Sequence, residues 1–367
     1  MLGNQDVMDV LETDAREKAA ETDEVTEVQI TNVDDAFDVL LHNAIEEFGF
    51  APRDVYEGVI YPETTKDLHA TAVGQLNYAT LLRYVRAFTT GQVLPDLSHR
   101  IIAVEPDQVK LRNVKWKINF KSIRIAKAVA VSMREAEAEH LRETYDLLYK
   151  IPASSSMAGW VFEGFAHRVF AAGWRSDEPL PQPILMIPNK GTPPTFSLPD
   201  SPQPVPLSTP QPVRTSAREA IQINLTADLD DVTLESDRYY APATINPLFD
   251  AFTIDHDPDN HTVVISVFQM TASPSHAGSS KGYPHIQKIM ARVHELLLPK
   301  HSDTTVKVAY FLVCPEKESG KEWKMSDGWN RKVTKRYPEG YGYDHSGDVF
   351  RLPFPGASCL SAPNVAT

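Results

Sequence analysis

The apolar positions of this chain change period along its length, and each change marks a change of element. From Val33 to Lys150 the spacing is mostly helical. The run DDAFDVLLHNAIEEFGF places apolar residues three and four apart and ends near Gly49, the pattern of one buried helix face. HATAVGQLNYATLLRYVRAF repeats it, and SIRIAKAVAVSMREAEAEHLRETYDLLYK predicts a long helix beginning at a Ser122 cap. Between them, QVKLRNVKWKINFK alternates over much of its length and reads as a strand. SSSMAGWVFEGFAHRVFAAG returns to helical spacing, with a serine start and apolar Met157, Val161, Phe162, Phe165, Val169 and Phe170. Apolar on several sides, it predicts a helix buried over much of its surface.

Further on, the period becomes that of strands. LFDAFTID and HTVVISVFQMT are β-rich and flank HDPDN, a loop of turn-forming residues, which predicts an antiparallel hairpin. Pairing sets Asp250 beside Phe268 and Gln269. Alternation then turns Gln269 and Thr271 to one side and Met270 to the other. Asp255, Asp257 and Asp259 have the spacing of a calcium loop, but Ser266 occupies the closing position, so they read as turn residues. ASPSHAGSSKGYPHIQKIMARVHELL predicts a loop and a helix, and TTVKVAYFLVCP an apolar strand, Val306 to Val313, inside a central sheet. From Ser154 onward the fold class is α/β.

Composition and charge sharpen this picture. The 367 residues suit two domains, and 42% hydrophobic with 9% aromatic residues excludes wholesale disorder. The net charge of −13 argues at first against a nucleic-acid partner. However, residues 1–30 hold nine acidic and two basic side chains, an acidic disordered tail carrying about half of that charge. Of the 28 prolines, twelve lie between Pro179 and Pro212. They predict an extended surface insertion over 177–213, read first as a spacer and alternatively as a ligand for a partner protein. Cys314 and Cys359 supply neither a disulfide framework nor a zinc site. Signal-peptide and membrane-span patterns are both missing, so a nuclear or cytoplasmic location, away from membranes, is expected.

Candidate chemistry lies in a few places. Glu163 and His167 are one turn apart and share a helix face. VKLRNVKWKINFKSIRIAK has seven basic and no acidic residues, with Trp116 and Phe120 interleaved. Lys115, Lys117 and Lys121 share one face of the proposed strand. Residues 281–336 carry twelve basic and six acidic side chains. Both stretches suit phosphate contact, and both equally suit a solvated surface.

Several segments, in order, resemble the fungal members of the Crinkler and retrotransposon-hot-spot effector family. They are SMAGWVFEGFAHRVF, YYAP with NPLFDAF, VFQMTASPSH and VKVAYFLVCP, with FGFAPRDVYEGVI upstream. The resemblance implies a restriction-endonuclease-like mixed sheet flanked by helices, with a PD-(D/E)xK type site acting on nucleic acid, DNA before RNA. It also implies that the preceding, mainly helical segment corresponds to the C-terminal part of a P-loop NTPase. Carried over by position, Glu163 is the helix carboxylate and Asp250 the main ligand, the two holding magnesium, with Gln269 completing the shell and Thr271 orienting water or phosphate. Gln269 and Thr271 stand where a more usual nuclease has an acid and then lysine. Lys281 or His276, in the following loop, are the candidates to replace that lysine, and Lys281 joins Lys115, Lys117 and Lys121 as a candidate nucleic-acid contact. No GxxxxGK[ST] occurs in this chain, so no ATP site is expected.

The expected organisation is an acidic tail over 1–30, an NTPase-remnant segment over 31–150, the nuclease-like domain over 151–350 and a disordered C-terminus over 351–367. A metal-dependent nuclease is the leading reading. A catalytically inactive descendant that binds nucleic acid or protein is its rival, and an interaction module using the proline-rich insertion is a third.

Overall fold

The computed structural model describes residues 33–92, 98–110, 113–133, 138–151, 154–174, 179–191, 193–200, 211–225, 229, 233–243, 246–257, 261–273, 275–297, 305–315, 320–329 and 345–354. The expected tail over 1–30 and residues 355–367 lie outside them. The chain divides into two units, Met1–Ala136 with Leu147–Trp160, and Glu137–Asp146 with Val161–Thr367.

The first unit holds helices α1 (Val33–Phe48), α2 (Pro52–Ile60), α3 (Pro62–Gly74), α4 (Tyr78–Thr89) and α5 (Ser98–Ile101), strands β1 (Ile102–Lys110) and β2 (Asn113–Phe120), and α6 (Ile123–Met133). Helix α1 stops where the pattern predicts. Gly49 follows at φ +83°, and its N–H donates to Ile45 O at 2.8 Å, a left-handed helix end that glycine adopts without a Cβ clash. The buried stripe of α1 packs Ala44 and Phe48 on Val55 of α2.

Two expectations for this unit change. HATAVGQLNYATLLRYVRAF forms two helices, because Asn77 accepts a hydrogen bond from Thr80 N at 2.9 Å and starts α4 afresh. QVKLRNVKWKINFK is not one strand: it contributes the end of β1 and all of β2, an antiparallel hairpin pairing Ile102 with Phe120. The predicted long helix after Ser122 is described as α6 and as α7 (Ala138–Lys150), residues 134–137 lying outside the described residues, and Ser122 Oγ accepts from Ile125 N at 3.1 Å as expected of a cap.

The second unit is built on a seven-stranded mixed sheet, ordered β3-β13-β11-β9-β8-β7-β6. Its strands are β3 (Ile184–Leu185), β6 (Glu219–Ile223), β7 (Arg238–Pro242), β8 (Ala251–Asp257), β9 (Thr262–Met270), β11 (Thr305–Pro315) and β13 (Asp348–Phe354). The predicted hairpin is β8–β9, pairing Ala251 with Phe268. β11 runs parallel to both β9 and β13. A smaller sheet, ordered β10-β12-β5-β4, joins β10 (Ser275–Ala277), β12 (Glu322–Lys324), β5 (Thr195–Ser197) and β4 (Ile187–Pro188).

Helices cover both faces of the large sheet. On one face, α8 (Ser155–Ala172) stacks Phe170 on Phe268 at 4.2 Å, and Phe268, Phe311 and Phe350 follow one another across β9, β11 and β13. On the other, α9 (Tyr283–Leu297) packs Ile286, Ile289 and Val293 into a cluster with Tyr240, Phe252, Val267 and Leu312. Strand alternation separates the two cores residue by residue. The central strands are apolar on both sides for this reason.

The proline-rich segment is more than a surface spacer. Among its described residues, Met186, Phe196 and Val213 are buried, β3 pairs with β13, and β4 and β5 sit in the small sheet. Its prolines are compatible with this because Pro188 lies on an edge strand, where a missing N–H costs nothing. Strand β13 also continues to Phe354, past the expected boundary at 350. No helix among the described residues is long and apolar enough to cross a membrane.

Candidate functional site

The mouth of the β8–β9 hairpin brings Asp250 and Gln269 together. Asp250 N donates to Phe268 O at 2.8 Å, continuing the ladder one residue beyond β8. Gln269 Nε2 and Met270 N then each donate to Asp250 Oδ2 at 2.7 Å. A carboxylate only accepts, so the amide nitrogen of Gln269 must be the end that faces it. Gln269 is buried, and the hydrogen bond offsets that burial.

Thr271 follows at the end of β9. Its N–H donates to Val313 O at 2.9 Å, and its hydroxyl accepts from Ser273 N at 3.0 Å, which turns the chain. By alternation Asp250, Gln269 and Thr271 share the sheet face of Phe252 and Val267, the face covered by α9.

Glu163 belongs to a second group, on the helix that covers the other face. Its Oε1 is 3.8 Å from His167 Nε2, and His167 Nδ1 is 2.6 Å from the Tyr239 hydroxyl. Phe162 and Phe165 contact Phe354, which pairs with Pro315 at the end of β11. Met270 and Val313 pair at that same end. Glu163 therefore faces the side of the sheet opposite to Asp250, linked through His167 to Tyr239 of β7.

Among the described residues, no cluster of three or more histidine, cysteine or acidic side chains is placed to hold a metal ion. The fit for magnesium rests on a smaller set: the Asp250 carboxylate, with the carbonyl end of the Gln269 amide beside it. Magnesium keeps most of its waters and accepts few protein oxygens, so this donor set suits it without forming a closed cage.

The candidate basic contacts divide. Lys121 is committed to Asp54: the two form an ion pair with 9% and 1% of their side chains exposed. That pair is part of the first unit's interior, so Lys121 is corrected from a phosphate contact to a structural cation. Lys117 pairs with Glu105 at 3.4 Å on the exposed hairpin face. The side chain of Lys115 lies outside the described residues. Lys281 is exposed on a 3-10 turn, Ser280–Gly282, directly ahead of α9. His276 sits edge-on to Trp323, and burial lowers its pKa. A neutral imidazole there does not replace a lysine charge.

A further pair escaped the sequence reading. Asn246 is buried, its Oδ1 accepts from Leu248 N at 2.9 Å and Phe249 N at 3.2 Å, and its Nδ2 is 2.7 Å from His285 Nδ1. Asparagine ahead of a proline-containing turn is a recognisable signal for such self-bonding, but its reach to residue 285 is purely tertiary. Asp255, expected in the turn, lies instead within β8 and pairs with Arg214 and Arg218.

Compared with protein-family models, with curated proteins and with solved structures, the chain matches none.

Proposed function

We propose that the second unit is a phosphodiester-processing domain of restriction-endonuclease type, acting with magnesium on nucleic acid, DNA before RNA. The observation that carries this reading is the Asp250–Gln269 hydrogen bond at the end of β9, with the Glu163–His167 pair on the opposite face of the sheet. The mixed sheet between two helices and the resemblance to the Crinkler and retrotransposon-hot-spot family support it. On the same resemblance the first unit corresponds to the helical end of a P-loop NTPase with no nucleotide site of its own, and the protein acts in the nucleus.

In this site Asp250 supplies negative charge at a position fixed by two donors. Gln269 orients that carboxylate, and Thr271 sets the turn that follows β9. Glu163, beside His167, offers a second carboxylate for positioning water. Magnesium, when bound, neutralises phosphate charge and lowers the pKa of an attacking water.

A second reading, a domain that binds nucleic acid without cutting it, is favoured by one observation. Asp250 Oδ2 is already satisfied by two protein donors, and the Gln269–Thr271 triplet has no cation. The deciding experiment incubates full-length protein with plasmid DNA and with RNA in magnesium or manganese, beside Asp250→Ala and Glu163→Ala. Cleavage by the wild type that both variants lose supports the enzyme. Equal rates in all three overturn it, and salt-dependent binding without cleavage establishes the second reading.

A further inference from the structure

We propose that Asn246 is a positioning residue of this site, and that it sets His285 as a neutral hydrogen-bond donor to a phosphodiester oxygen where the triplet lacks its lysine. The proposal rests on the nucleic-acid reading of the Asp250 edge given above.

The protonation state follows from counting donors. Asn246 Oδ1 takes two backbone N–H bonds, from Leu248 and Phe249. The carboxamide therefore cannot flip without leaving two amides facing an NH2 group. Its Nδ2 must be the donor towards His285 Nδ1, 2.7 Å away. A ring nitrogen that accepts carries no proton, so neutral His285 holds its proton on Nε2.

The placement follows from chain connectivity. Leu248 and Phe249 immediately precede Asp250, so the same carboxamide that orients His285 also fixes the turn into the carboxylate. His285 is the third residue of α9, which covers the sheet face shared by Asp250, Gln269 and Thr271. Gly282, just ahead of α9, lies against Leu248 and Asn246: a Cβ there would meet Asn246 Oδ1 at 3.2 Å and clash with the Leu248 side chain. The first turn of α9 is thus held at the hairpin mouth, with exposed Lys281 beside it. A phosphodiester is a pure acceptor, and a neutral N–H fixed by a second hydrogen bond is a suitable donor for it.

The test uses full-length protein and a short DNA duplex in calcium, so that binding is read without turnover. Nitrogen-15 spectra of the histidine rings report the tautomer, with His285→Ala assigning the signal. In the wild type, the His285 ring carries its proton on Nε2. Asn246→Asp, whose carboxylate can only accept, moves a proton onto Nδ1. His285→Ala weakens duplex binding about tenfold, whereas His285→Gln, which keeps an N–H near the Nε2 position, stays within about threefold of wild type. A wild-type proton on Nδ1, or duplex binding unchanged in His285→Ala, overturns the inference while leaving the nucleic-acid reading standing. A folded wild type that binds no duplex overturns that reading, and the donor role falls with it.

Discussion

Gln269 donates its side-chain N–H to Asp250 Oδ2 at 2.7 Å across the mouth of the β8–β9 hairpin. Replacing the amide by a carboxylate would set two negative groups face to face. Gln269→Glu is therefore expected to lower stability by about 1–3 kcal/mol in metal-free buffer, through loss of the bond and like-charge repulsion. Millimolar magnesium should restore much of that loss, raising Tm in the variant more than in the wild type. Thermal melts with and without EDTA check this. A magnesium response no larger than the wild type's counts against a cation at this edge.

The two donors on Asp250 make a second, independent demand. Asp250→Asn keeps an acceptor for Met270 N, but Asp250→Ala strands both that amide and the buried Gln269 carboxamide. Alanine should cost about 1–3 kcal/mol and asparagine clearly less. Urea midpoints of the two variants compare them directly. Both should abolish cleavage, which separates the carboxylate's chemistry from its structural duty.

Two lysines of one basic stretch should behave oppositely. Lys121→Met leaves Asp54 buried with Arg100 Nη1 as a more distant ion-pair partner at 4.0 Å, and about 3 kcal/mol of stability is expected to go. Lys117→Ala removes only an exposed pair with Glu105, worth about 0–1 kcal/mol. If the hairpin contacts phosphate, Lys117→Ala flattens the salt dependence of duplex binding by about one ion. A large stability loss in Lys117→Ala would contradict the exposure of this face.

The aromatic ladder across β9, β11 and β13 should dominate the second unit's stability. Phe268 is fully buried between Phe170, Tyr239 and Phe311. Phe268→Ala is expected to cost about 3–5 kcal/mol, and Phe268→Leu substantially less. Denaturant unfolding followed by tryptophan fluorescence measures both.

Burial raises the Cys314 thiol to about 11 from its ordinary 9.0. Native protein in a Cys359→Ser background should resist alkylation at pH 8 and react fully only after denaturation. The native state holds its proton more tightly than the unfolded chain. The stability linked to this thiol is thus complete below pH 9 and falls as pH rises from about 9 towards 11. Rapid modification of the native protein at pH 8 would contradict this burial.

Local pattern carried most of the elements. The alternation of VFQMT and the three- and four-residue spacing of the Phe162–Phe170 stretch are short-range properties, and they became β9 and α8, while His256 and Asp257 of HDPDN extend β8. Capping chemistry is legible at Ser122, whereas Asn77 sits inside a continuous apolar period that masks its role as a second helix start. Prolines point to a surface because a sequence shows the missing donor and not the edge strand that tolerates it.

The sequence by itself determined which residues alternate, where helices stop and that Asp250 would sit beside Gln269. Those relations are set by bond geometry and by neighbours close in the chain. Tertiary structure alone decided that Lys121 serves Asp54, that Met186 and Phe196 enter the core, and that Asn246 reaches His285 on α9. Each of these joins residues far apart in the chain, and such a contact exists only once packing has brought the two segments together and repaid the entropy of closing the loop between them.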